Sequence, residues 1–248
     1  MHRPYDITLD ITRRRFVLGG FGWFPFFRPK HAALEGARFR IVRNGSSNRR
    51  YIHIHGNEST AREVLTAHLR RFRGTGFMIE GTVRNVPCGS KVLDPNRMFS
   101  REGAAKNLRR LNPEMPEEEL RAALDRLDRG RDRLVRTLLP PRGGLLFAVH
   151  NNSEGYSVRD EVSISDKVSL PRAGQPHEFF LCTQPADFEK LQSSSYNVVL
   201  QNTAPTEDDG SLSRLAALRG VRYVNLECAL GNARAQVEML EWAERNLS

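Results

Sequence analysis

The chain has 248 residues, 39% of them hydrophobic, which is enough for one substantial α/β core or at most two small domains. Its formal charge of +9 is spread over pairs such as Arg49–Arg50, Arg70–Arg71 and Arg109–Arg110. It does not form a run of like charges, so it reads as a general surface property and not as a basic tail for nucleic acid. Three scattered cysteines, Cys88, Cys182 and Cys228, exclude a cysteine zinc site and a full disulfide framework, leaving at most one bridge.

The first segment carries Arg13-Arg14-Arg15, a short apolar run from Phe16 to Phe27, and small residues at Ala32, Ala33 and Ala37. This pattern resembles a bacterial twin-arginine export signal ending near residue 37. The competing reading is an N-terminal arm whose aromatics pack on the domain. Export would place the protein in the periplasm or outside the cell, and its absence would leave it in the cytoplasm. No eighteen-residue apolar stretch follows, so no transmembrane helix is expected in the body of the chain.

From residue 38 onward, short apolar runs alternate with helical patterns. Strands are expected at residues 39–42, 51–55 and 77–83, with an amphipathic helix at 60–72. Residues 84–113 contain Pro87, Gly89, Pro95 and Pro113 and are expected to be largely loop. Residues 117–139 form the clearest helix: Glu117, Glu118 and Glu119 favour its N-terminus, Leu120, Leu124, Leu127, Leu134 and Leu138 make a stripe, and Pro140 stops it. Residues 145–149 read as a strand buried on both faces. Strands at 178–182, 197–200 and 221–226 alternate with helices near 186–191, 212–218 and 233–246. The expected fold is therefore a single α/β domain over residues 38–248. It has a mixed, mainly parallel sheet with helices on both faces. In such sheets active groups gather at the carboxyl ends of strands.

Polar residues with chemistry fall at those ends. His55 and Glu58 flank a turn through Gly56 and Asn57, and His150 closes the apolar run at 145–149. Two imidazoles and a carboxylate are good zinc ligands, and a catalytic zinc takes three protein ligands plus an open position. His53 lies on the same strand as His55 and is an alternative ligand or a supporting group. Asn96-Arg97 offers an amide and a guanidinium fork suited to a carboxylate. Glu227 ends the strand at 221–226 and could move a proton on and off water. Tyr156 could hydrogen-bond a substrate or simply pack. Asn151 and Asn152 could orient their loop or touch the metal site.

Four segments in this order, His55-Gly56-Asn57-Glu58, Asp94-Pro95-Asn96-Arg97-Met98-Phe99, His150-Asn151-Asn152 and Asn225-Leu226-Glu227, resemble the zinc carboxypeptidase superfamily. The closest likeness is to its aspartoacylase and succinylglutamate desuccinylase branch, over residues 38–246. The resemblance implies a mixed sheet of eight or so strands and one zinc ion held by His55, Glu58 and His150. It also implies that Asn96 and Arg97 bind a substrate carboxylate, with Glu227 as the general base and acid that activates the zinc-bound water. Pro95 stands where the family has leucine. The family's separate carbonyl-polarising arginine is assigned to Arg84. No counterpart of the branch's C-terminal β domain is expected, so the resemblance carries the chemistry but not the aspartate-derivative substrate. The implied activity is metallocarboxypeptidase or N-acyl amino acid deacylase, acting on a small peptide or acylated amino acid with a free carboxylate. Nucleic acid is not an expected partner. A reading from another class stays open: a non-catalytic basic binding protein for nucleic acid or an anionic polymer, on a hydrolase scaffold.

Overall fold

A computed structural model of the chain describes residues 30–153 and 155–247. Most of the segment read as an export signal lies outside those residues. In chain order the elements open with β1 (Lys30–Leu34), β2 (Ala37–Asn44), β3 (Arg49–His53), α1 (Ser59–Arg71) and β4 (Gly74–Ile79). A small ribbon of β5 (Val86–Cys88) and β6 (Lys91–Leu93) follows, then a single 3-10 turn at Pro95–Arg97, α2 (Arg101–Leu111) and α3 (Glu117–Leu138). The second half contains β7 (Leu145–Asn152), α4 (Val158–Val162), β8 (Lys167–Ser169), β9 (Phe179–Cys182), α5 (Pro185–Leu191), β10 (Asn197–Leu200), α6 (Leu212–Leu218), β11 (Arg222–Ala229) and α7 (Ala233–Asn246).

Nine strands form one sheet in the order β1-β2-β4-β3-β7-β11-β9-β10-β8. The central strands β4, β3, β7 and β11 run parallel. Outside them the sheet turns mixed: β2 lies antiparallel to β4, β9 antiparallel to β11, and β1 and β8 close the edges antiparallel. The sheet is thus mixed: a parallel centre carries the site, and β9 and β10 form a second parallel pair running opposite to it. Lys30–Leu34 pairs with Ala37–Ile41, so the sheet begins before residue 38, and Ala32 and Ala37 are buried in this hairpin.

The core is split by the sheet. Along β7, Leu146 and Ala148 enter one apolar cluster with α2, α3 and α6, while Leu145, Phe147 and Val149 enter another with α1, α5 and α7. This is the period-2 alternation of a strand covered on both sides. α3 presents Leu120, Leu124, Leu127, Leu134 and Leu138 to the first cluster, and each such leucine contributes about 1.5–3 kcal/mol through burial. Cys88, Cys182 and Cys228 are buried and free, so the one bridge left open by the sequence is not made. Among the described residues no helix is long and apolar enough to cross a membrane.

Three expectations need correction. The strand expected at 51–55 ends at His53, and His55 lies in the turn that follows, where its carbonyl accepts from the Glu58 N–H at 3.2 Å. The strand expected at 77–83 is β4 and ends at Ile79. The stretch expected to be largely loop holds α2 as well as the ribbon. The Ser100 side chain accepts from the Gly103 N–H at 2.9 Å and starts the helix, while Ala104 and Leu108 supply its buried apolar anchor, with Ala105 packed partly against the core. A stripe that thin is hidden by the prolines and glycines around it. Gly103 also has a tertiary role: a Cβ there would lie 2.1 Å from the Gly210 nitrogen, so the bare backbone lets the loop before α6 close onto α2.

Candidate metal centre

Because β3, β7 and β11 are neighbours and parallel, their carboxyl ends open onto the same side. His150 on β7 and Glu227 on β11 are register partners. The turn after β3 brings His55 and Glu58 to them. That turn is tight because Gly56 has no side chain; a Cβ there would meet the Val83 carbonyl oxygen at 2.5 Å. Glu58 is the last residue before α1, where the helix N-terminus favours a negative charge. His53 supports the turn from below, with Nε2 2.9 Å from the Glu58 carbonyl oxygen. The choice the sequence left open is thereby resolved: His55 and not His53 joins the cluster, and His53 braces the backbone of Glu58.

Glu58 reaches both imidazoles. Its Oε1 lies 2.7 Å from His55 Nδ1 and its Oε2 3.2 Å from His150 Nδ1. The donor atoms of His55, Glu58 and His150 all lie within 4.8 Å of one another, and all three residues are buried. The contact to His150 lacks hydrogen-bond geometry, so Glu58 Oε2 is a buried carboxylate oxygen with no hydrogen-bond partner. An acceptor left this way is costly, and a cation among two imidazoles and a carboxylate satisfies it. The donor set and the orphaned oxygen together show that this group could hold one metal ion.

A residue not assigned a role from the sequence completes the centre. Asp94 Oδ1 lies 2.8 Å from His55 Nε2, and Asp94 Oδ2 lies 3.1 Å from Arg84 Nη2. A metal-ligating histidine commonly gives its other ring N–H to a carboxylate, which fixes the tautomer and the ring orientation. Asp94 is itself held by backbone: Oδ1 also accepts from the Asn96 N–H at 2.8 Å. Burial opposes charge on His55, yet its hydrogen bonds to Asp94 and Glu58 outweigh that and push its pKa up to about 9. Burial likewise opposes charge on Glu58 and Asp94, but the histidines beside them hold both carboxyls well below the usual range. A site that so favours a proton between carboxylates has the electrostatics to favour a divalent cation.

Glu227 is buried, and burial raises its pKa, with Glu58 adding to the effect and His150 and an Asn225 hydrogen bond opposing it. Asn225 was not singled out from the sequence. Its position two residues before Glu227 on a strand puts it on the same face.

All the residues singled out as ligands, base and substrate contacts line one cavity of about 500 Å³. Their states differ. Arg84 reaches Glu58 Oε1 at 3.5 Å as well as Asp94. Asn96 Oδ1 accepts from the Leu212 N–H at the start of α6, so half of its amide holds the fold. Arg97 already has a carboxylate: its Nη1 lies 3.2 Å from Asp209 Oδ2. The Tyr156 hydroxyl donates to Glu161 Oε1 at 2.7 Å, and burial keeps it a neutral phenol. Asn152 Nδ2 lies 3.3 Å from Glu227 Oε2. Asn151, by contrast, points to the other side of the sheet, where it accepts from the Ala61 N–H and donates to Gln236. It is a brace for α1 and α7.

No protein-family model matches the chain, no curated protein matches it, and no solved structure matches it. The site therefore stands on its own residues.

Proposed function

We propose that the protein is a zinc-dependent hydrolase of an amide bond next to a substrate carboxylate. The observation that carries this reading is a buried His55–Glu58–His150 cluster whose neighbour across the β7–β11 register is a buried carboxylate, Glu227, on the wall of the same cavity. Two imidazoles and one carboxylate match the ligand set of a catalytic zinc with an open position. When bound, such an ion lowers the pKa of water toward neutrality and polarises a carbonyl.

The remaining work falls to side chains. Asp94 accepts a hydrogen bond from the Nε2–H of His55 and so leaves Nδ1 as the donor atom. Glu227, its pKa raised by burial, accepts a proton from water and returns it to the leaving amine. Arg97 and Asn96 bind the substrate carboxylate, which displaces Asp209 from the Arg97 fork. Arg84 pairs with Glu58 and Asp94, its half-exposed side chain on the cavity wall supplying a polarising charge. The substrates are small peptides or N-acyl amino acids with a free carboxylate, extracytoplasmic ones if the N-terminal segment directs export.

The test is amino acid release from a panel of N-acyl amino acids and short peptides, with metal content measured in parallel. Wild type is expected to carry zinc and release product, and Glu227→Gln to keep the zinc while losing about 10²–10⁴ in rate. A protein that binds no zinc, or a Glu227→Gln variant as active as wild type, overturns the reading. Strongly salt-dependent DNA binding by a zinc-free protein would instead favour a basic binding module.

A further inference from the structure

Glu227 is gripped by carboxamides from two strands. Asn225 on β11 offers its Nδ2 to Glu227 Oε1 at 3.1 Å. Asn152 on β7 offers its Nδ2 to Glu227 Oε2 at 3.3 Å and to the His177 carbonyl oxygen at 2.8 Å. All these partners are acceptors, so the amide nitrogens must face them; flipping either amide would set oxygen against oxygen. Each carbonyl oxygen is thereby turned away from Glu227. Asn152 is 6% exposed and Asn225 7%, both line the cavity, and neither Oδ1 has a hydrogen-bond partner. Orphaned buried acceptors are rare, because each has given up water for nothing. Here two lie on residues beside one carboxylate, in the wall of the cavity that Arg97 also lines. A ligand that satisfies them must bring N–H or O–H donors. A primary ammonium brings three N–H groups.

We infer that Asn152 and Asn225 form an amine-recognising subsite: their nitrogens aim the Glu227 carboxylate, and their carbonyl oxygens receive the N–H groups of a primary amine. The ligand class is a free amino acid, its ammonium at the asparagines and its carboxylate at Arg97. Its identity as the released half of the substrate rests on the hydrolase reading above; the subsite itself does not. The two asparagines act as positioning residues toward Glu227 and as specificity residues toward the amine.

The probes are alanine, glutamate and lysine in both enantiomers, each compared with its N,N,N-trimethyl betaine, which keeps both charges and has no α-N–H. Binding to the zinc-loaded protein is measured by calorimetry. At least one amino acid is expected to bind about tenfold or more tighter than its betaine, since hydrogen bonds from a charged donor are lost in the betaine. Asn152→Leu and Asn225→Leu are each expected to shrink that ratio, with zinc content unchanged. Betaines that bind as well as the amino acids, absence of binding by all the amino acids, or full retention of the ratio in both variants overturns the inference. If a leucine variant folds poorly, the comparison on wild type decides alone. Hydrolysis without an N–H preference removes this subsite and leaves the hydrolase standing, whereas an N–H preference in a protein that hydrolyses nothing does the reverse.

Discussion

Replacing Asp94 with asparagine keeps the shape of the side chain and removes its charge. The Asp94 Oδ1 accepts from His55 Nε2 at 2.8 Å and from the Asn96 N–H at 2.8 Å, and asparagine's carbonyl oxygen can still perform both duties, whereas the Oδ2 contact to Arg84 needs the second carboxylate oxygen. What is lost is the charged part of the bond to His55, together with the half-exposed ion pair to Arg84. A hydrogen bond to a charged group contributes about 1.5–3 kcal/mol and a neutral one about 0.5–1.5 kcal/mol. The Asp94 side chain is only 4% exposed, so water does little to screen that difference. A loss of about 1.4 kcal/mol corresponds to a factor of ten, so Asp94→Asn is expected to weaken zinc binding roughly tenfold. Asp94→Ala removes the whole contact and is expected to fall further, into the roughly 10–100-fold range of lost outer-sphere partners. Competition against a chelator of known affinity reads both values, with circular dichroism to confirm folding. The reasoning is refuted if Asp94→Asn binds zinc within about twofold of wild type, or if asparagine is worse than alanine.

Protons should compete with the metal. Without an ion the folded pKa of His55 is about 9 against an ordinary 6.5, so folding takes up a proton between those values. That stabilisation is fully present below pH 6.5 and fades as pH rises through about 9, so the metal-free protein is expected to melt at lower temperature across this window. Zinc must displace the same proton, so its apparent affinity is expected to rise with pH over the same window; an affinity flat in pH contradicts the assignment of His55. A third prediction concerns support. Asn151 accepts from the Ala61 N–H at 2.7 Å and donates to Gln236 Oε1 at 3.1 Å, all in the buried interior. Asn151→Ala orphans both partners and is expected to cost about 2–6 kcal/mol in denaturant unfolding, from two groups at about 1–3 kcal/mol each. A loss below about 0.5 kcal/mol would show that Asn151 is no brace.

The parallel centre of the sheet was legible because the sequence states it twice over. Residues 145–149 are an unbroken apolar run, and 221–226 end in a lone carboxylate. Both strands run further than expected, to Asn152 and Ala229, so His150 and Glu227 lie two residues inside the carboxyl ends they were expected to close. The antiparallel flanks were not legible. β1 is five residues long with a lysine and a histidine in it, and its burial comes from pairing with β2 and not from its own composition. β9 is apolar like the central strands, and its direction, opposite to that of β11, follows from connections, which periodicity does not encode. Within the site, ligand identity could be read from residue type and position, but partnership could not. Asp94 meets His55 across 39 residues of chain, and Asn152 and Asn225 meet at Glu227 from two strands. Arg97 was read as a free clamp, and the structure gives it Asp209, carried by a loop that closes because Gly103 and Gly210 let two backbones touch.

His55, Glu58 and His150 are proposed to hold a single zinc ion. Elemental analysis of the purified protein, beside a His150→Ala variant and a His55→Ala/Glu58→Ala variant, tests it most directly. One zinc per chain in wild type, lost in both variants while their folds persist, is the expected result. Zinc absent from wild type even after incubation with the metal, or retained at one per chain in both variants, would contradict it.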